Sequence, residues 1–309
     1  MKTLLLLSLV SLGGCALGGL DGGGDDTATS PDVGSTQYVD IFNFAKIDQG
    51  AWADARSGLN GRFAATGAAE VPLTFGCSVT SKAGDVSDCE WTFARGAIGV
   101  DGKTAQVATD APTYTCKIAM KTTAVKLQAF LSNDADPLND ALPGGTASIA
   151  SQLPTCFAHP NGDTPITLGA GTTYELASQY YTSASGKAKW AATQAALVNS
   201  FNNICGDSWC SGDFSDLSSL DLDCAVTKST GNVKTCEWVF GGSFYTVDSK
   251  NVSETVQTFS CPVAFHGTVS QLIDLMTPPV SMTDPEDAIH RTLPGGSVAV
   301  YDELLNCLP

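Results

Sequence analysis

Basic residues are scarce in this chain. Against 32 aspartates and glutamates its 309 residues include 16 lysines and arginines, for a formal net charge of −16. A surface of that sign repels phosphate backbones and anionic lipid headgroups, which argues against nucleic-acid partners and against electrostatic attachment to a membrane. Histidine is scarcer still: His159, His266 and His290 are the three, each in a loop or linker context. No HExxH, GxSxG or SxxK pattern occurs, so neither a zinc-protease helix nor a serine nucleophile is legible. The leucine-rich run in the first dozen residues is too short to span a bilayer as a helix, which needs about 20 apolar residues. Residues 97–104, AIGVDGKT, fit a permissive phosphate-loop pattern with alanine in place of the first glycine. The helix whose N-terminus would hold the phosphate is missing, because AQVATDAPTY follows, and no nucleotide is expected.

Cysteine, by contrast, is plentiful and odd in number: eleven residues, which leaves one thiol over in an oxidising compartment. The first of them, Cys15, is the natural spare. The N-terminus, MKTLLLLSLVSLGGC, sets one lysine before a short leucine-rich run and reads as a signal peptide over residues 1–14. Leu12-Gly13-Gly14-Cys15 resembles the lipobox of bacterial lipoproteins. The resemblance implies cleavage before Cys15, diacylglycerol on its sulfur and a further acyl chain on the new N-terminus, enough for stable anchoring. Ala16 in place of Asp implies sorting to the bacterial outer membrane, with the protein facing the periplasm or the surface. Residues 15–37 are then the lipidated cysteine and a Gly, Asp, Ser, Thr and Pro tether, with a reach of roughly 25 Å. The other ten cysteines are an even set, as expected of an exported chain.

The remainder is organised around a stretch that occurs twice. Residues 77–93, CSVTSKAGDVSDCEWTF, and 224–240, CAVTKSTGNVKTCEWVF, agree at nine of seventeen positions without a gap. Trp52, Leu59 and Phe63 before the first copy match Trp190, Leu197 and Phe201 before the second, an amphipathic helical stripe in each. Alternation of cysteine and apolar residues with polar ones predicts strands on both sides of a Gly-Asp or Gly-Asn turn, at residues 82–85 and 229–232. A third alternating run holds Cys116 or Cys261, followed by a helix from Thr123 or Thr268. A Leu-Pro-Gly-Gly turn and a last short helix bearing Cys156 or Cys307 close each copy. The expected fold class is α+β: two tandem homologous modules, 38–157 and 174–309, joined by a linker over 158–173. Each has an N-terminal helix, a three- or four-stranded antiparallel sheet and two C-terminal helices. The element order is loosely similar to cystatin-like folds. The tandem Cys-Glu-Trp modules also resemble bacterial lipoproteins of no assigned activity, so the resemblance implies none here.

Alternation puts Cys77, Cys89 and Cys116 on one sheet face, and the tight turn makes the first two neighbours, with Cβ atoms about 4.5–5.5 Å apart. The expected pairs are Cys77–Cys89 and Cys116–Cys156, then Cys224–Cys236 and Cys261–Cys307 by the repeat, leaving Cys205–Cys210. The rival pairs Cys89 with Cys116 and Cys77 with Cys156, if the turn register sets Cys77 and Cys89 out of line. Only the second module carries the acidic insertion around Cys205 and Cys210. Its Asp207, Asp213 and Asp216, with Asp221 and Asp223 close behind, offer the clustered oxygens that calcium takes, although the spacing is not that of an EF-hand. A solvated acidic loop is the competing reading, and no other cofactor is expected. Glu90 and Glu237, present in both copies, fall on the face opposite Cys and Trp and are expected to be exposed. Together these features predict a lipid-anchored envelope protein with a non-enzymatic binding or structural role. Its partners would be the membrane, through the anchor, and an envelope protein or polymer. The alternatives are a secreted hydrolase, which a deep pocket with convergent polar groups would favour, and a tandem inhibitor, which a rigid protruding loop would favour.

Overall fold

The computed structural model describes residues 36–163, 165–205, 216–276 and 288–308. Its first half opens with β1 (Tyr38–Asp40) and α1 (Gln49–Ala64), whose N-terminus is capped by Asp48 accepting the Ala51 N–H at 2.9 Å. The helix buries Trp52, Ala55, Leu59 and Phe63 along one stripe. Strands β2 (Val71–Thr80) and β3 (Val86–Ala94) form the hairpin, with Gly84 in the left-handed region that its turn requires. The chain then leaves the sheet at Arg95 and Gly96, makes a separate hairpin of β4 (Ala97–Val100) and β5 (Val107–Asp110), and returns beside β3 as β6 (Thr113–Lys117). The phosphate-loop look-alike is thus the β4 strand and its turn. Helix α2 (Ala124–Asn133), capped by Thr123, and α3 (Leu153–Phe157) complete this half. Its sheet order is β1-β2-β3-β6.

In the second half β7 (Tyr174–Leu176) and α4 (Ala177–Tyr180) precede α5 (Ala184–Cys205). Strands β8 (Ser218–Thr227), β9 (Val233–Val247) and β10 (Val252–Val263) follow, then α6 (Val269–Met276) and α7 (Val300–Leu304). The order is β10-β9-β8-β7, all antiparallel. At the start of α6, Thr268 and Gln271 form a reciprocal capping box: the Gln271 side chain accepts the Thr268 N–H at 2.9 Å and the Thr268 hydroxyl accepts the Gln271 N–H at 3.3 Å. Where the first half breaks into β4 and β5, β9 and β10 run on unbroken, so this hairpin extends as a long arm.

The α+β class and the antiparallel sheets agree with the sequence. Each sheet turns one face to its own helices. In the first half Trp52, Leu59 and Leu127 pack on Phe75, Cys77, Trp91 and Cys116; in the second Trp190, Phe201 and Leu272 pack on Cys224, Trp238, Phe240 and Cys261. The other faces differ from expectation. Alternation alone would give them to water, but they meet each other. Gly76 on β2 lies against the Tyr245 ring on β9, close enough that a Cβ would stand 2.8 Å from ring carbons. The Ser78 hydroxyl donates to the Ser249 carbonyl at 3.0 Å, and Asp88 accepts the Val252 N–H at 3.1 Å. In return, the β4–β5 hairpin and the connecting segment meet, as Gly169 donates its N–H to Asp101 at 2.9 Å. The linker expected over 158–173 is therefore partly docked. The layers run helices, sheet, sheet, helices within one compact unit, Thr36–Pro309.

Candidate functional site

The side chains richest in chemistry lie between the two sheets. A register shift between Pro72 and Phe75 turns the Thr74 N–H out of the β2–β3 ladder, and the Thr92 hydroxyl accepts it at 3.0 Å. Thr92 Oγ1 also stands 2.8 Å from Ser243 Oγ of the second sheet. Asp216, just ahead of β8, completes the network. Its Oδ1 accepts the Ser243 N–H at 2.7 Å, and its Oδ2 accepts the hydroxyls of Ser243, at 2.8 Å, and of Thr74. A carboxylate held by three donors in a low-dielectric layer makes hydrogen bonds about twice as strong as neutral ones.

Beside this network lies a group of carboxyls. Glu90 is buried, not exposed, because the second sheet covers it. It faces Lys117 in register across β3 and β6, with Nζ 3.2 Å away, and the same ammonium lies 3.6 Å from Asp88. Burial raises the Glu90 pKa against the pull of Lys117. Glu254 on β10 has both carboxyl oxygens buried and no hydrogen-bond partner among the described residues. Burial, followed by the charges of Glu90 and Asp216, pushes its carboxyl up to about 9, so it is a neutral acid at pH 7. Tyr245, opposite Glu254 on β9, donates to Asp40 at 2.9 Å, and burial raises its phenol above the ordinary range. Asp223, pushed up to about 6 by burial, accepts the N–H groups of Ser178 and Cys224.

A neutral carboxylic acid, ionised carboxylates and hydroxyls are the ingredients of acid–base chemistry, but these are packed into a joint. The cleft along β3 and β6 reaches Asp88 and Lys117 and is lined by neither Glu254 nor Asp216. A second cleft, beside the start of α2, is lined by Lys121, Lys126 and Gly144, and a small cavity of about 20 Å³ in the second core is lined by apolar side chains, Trp190 and Phe265 among them. No family model, curated protein or solved structure matches this chain.

Four cysteine pairs stand at disulfide distance. Cys77 and Cys89 oppose each other with Cα atoms 4.2 Å apart, as do Cys224 and Cys236 at 3.9 Å. Cys116 and Cys156 are 5.4 Å apart, tying α3 to the first sheet, and Cys261 and Cys307 are 5.7 Å apart. Cys307 sits in the turn after α7, three residues beyond the helix end at Leu304, and not in the helix expected to carry it. Cys15, Cys210, Asp207 and Asp213 fall outside what is described, and with Cys210 the pairing expected of Cys205. Asp216 alone of the three calcium candidates is placed, and Thr74 and Ser243 occupy its oxygens; among the described residues no group of three or more metal-ligating side chains is assembled. His159, His266 and His290 are all exposed, His290 with its ring 4.5 Å from that of Tyr301. Sequence reasoning missed Thr74, Ser243 and Glu254. Its one available signal was the pair of small residues, Gly76 and Gly241, on the supposed solvent faces, where close approach of another layer needs the missing side chain.

Proposed function

We propose that this is a lipid-anchored protein of the bacterial outer membrane, acylated on Cys15, with a binding or structural role rather than a catalytic one. Residues 16–37 tether a body made of two duplicated modules, 38–157 and 174–309. The observation that carries the reading is the joint between the sheets. Each sheet has helices on one face and its counterpart on the other, so the polar groups able to do chemistry are spent on holding the halves together. Stapled by cysteine pairs at disulfide distance, such a body is rigid, and what it offers a partner is loops and strand edges, with little ordering entropy to lose on binding. The strongly acidic surface keeps copies apart and favours an envelope protein or polymer that is neutral or basic.

Photo-crosslinking in intact envelopes tests this, with probes at exposed Gln257 on β10 and His266 before α6. A defined envelope partner, lost when Cys15→Ser releases the protein, is expected. Crosslinks that survive release unchanged would contradict the anchored role, and turnover of a small substrate by the purified body would contradict the non-catalytic one.

A further inference from the structure

Glu254 is poorly accommodated where it lies, because nothing described donates to either of its buried oxygens. The groups that face it come from every element packed around it. Glu90 of β3 and Asp216 ahead of β8 act on its carboxyl, and Tyr245 of β9 is its cross-strand neighbour. Behind these stand Lys117 of β6, Asp88 of β3 and Asp40 of β1, the partner of Tyr245. Lys117 is shared by Asp88 and Glu90 with its own side chain 67% exposed, and the Arg56 guanidinium of α1 acts on Tyr245. Carboxyls therefore outnumber cations in the layer, and an ionised Glu254 would meet like charge with no compensating donor.

We propose that the stacking of the two sheets is a pH-sensitive joint, closed while Glu254 carries its proton and loosened when Glu254 loses it. The element that yields is the far end of the β9–β10 arm. Its hold on the first sheet consists of the Tyr245–Asp40, Ser78–Ser249 and Asp88–Val252 hydrogen bonds and the seat of the Tyr245 ring on Gly76. The deprotonation releases one proton to solvent and forms no new bond. The cysteine pairs lie on the helix-covered faces, so loosening the joint leaves each half folded.

The direction follows from linkage. The folded state holds the Glu254 proton more tightly than the unfolded chain, where the group titrates near 4.5. Between that value and about 9 the folded state therefore binds more protons, and stability falls as pH rises; below 4.5 the contribution is fully present and no longer changes with pH. One proton changes the opening constant by up to about tenfold per pH unit. Asp223 has the same sign, but its contribution is finished above about 6.

The test is urea unfolding of the mature, disulfide-intact protein from pH 6.5 to 9, compared with Glu254→Gln. Relative to the variant, the wild type is expected to lose stability with each pH unit, at up to about tenfold in the unfolding constant. Parallel curves would overturn the proposal. In the wild type, amide exchange corrected for intrinsic base catalysis should accelerate over residues 243–254 before it does over residues 236–240; uniform acceleration would mean global unfolding and no joint. Should the variant fail to fold, carboxyl-carbon NMR of the wild type decides by itself. Glu254 titrating above pH 7 supports the joint, and titration in the ordinary glutamate range refutes it.

Discussion

Thr92→Val removes one oxygen from the centre of the joint and leaves the shape almost unchanged. Thr92 is fully buried, and its hydroxyl is what the Thr74 N–H has in place of a ladder carbonyl. The register shift in β2 leaves no substitute acceptor, so the valine strands a buried donor at a cost of about 1–3 kcal/mol. Thr92→Ser is the control: it keeps the oxygen and loses one methyl, worth about 0.8 kcal/mol. Urea denaturation at constant m-value measures both, and valine should be the worse. Because Thr92 Oγ1 lies 2.8 Å from Ser243 Oγ in the opposite sheet, Thr92→Val and Ser243→Ala should also be non-additive, by at least about 0.5 kcal/mol. A valine variant no less stable than the serine one, or strict additivity with Ser243→Ala, would refute the polar network as the fastening between the halves.

Gly76→Ala places a Cβ 2.8 Å from the Tyr245 ring and should cost about 1–3 kcal/mol in thermal unfolding, relieved when Tyr245→Ala is added. Replacing Cys116 and Cys156 together by serine, across a separation of 40, should cost about 4 kcal/mol, against about 3 kcal/mol for Cys77 and Cys89 at a separation of 12; denaturant midpoints in the opposite order would exclude the chain-entropy account. Asp216→Asn should lower stability in calcium-free buffer by about 1.5–3 kcal/mol, since it weakens hydrogen bonds to a charged group. An effect seen only when calcium is added would instead return Asp216 to the role of a metal ligand.

What could be read from the sequence was whatever depends on local period. The stripe of Trp52, Leu59 and Phe63 and the turn glycines are set by neighbours within one or two turns of chain, and the structure has them where the pattern puts them. Opposition of Cys77 to Cys89 follows from the same two-residue period. Glu90 shows where this reasoning stops. Alternation assigns a side chain to a face but says nothing of what covers that face, and here the cover arrives from residues some 150 positions later. The polarity of Thr74, Ser78, Thr92 and Ser243 looks like solvent exposure in sequence because a satisfied buried polar layer has the same composition as a wet one. The continuous β9–β10 arm was hidden for a related reason: Gly241 reads as a strand breaker until the second layer that needs it is in place.

Acylation of Cys15 decides whether this body is an anchored envelope protein. The direct measurement is the intact mass and N-terminal sequence of the mature protein extracted from membranes, with Cys15→Ser fractionated beside it. The expected result is a chain beginning at Cys15, heavier than its polypeptide by a diacylglyceryl group and one further acyl chain, and a serine variant found in the soluble fraction. A mature chain that begins elsewhere, or a Cys15 that reacts as a free thiol, would contradict it.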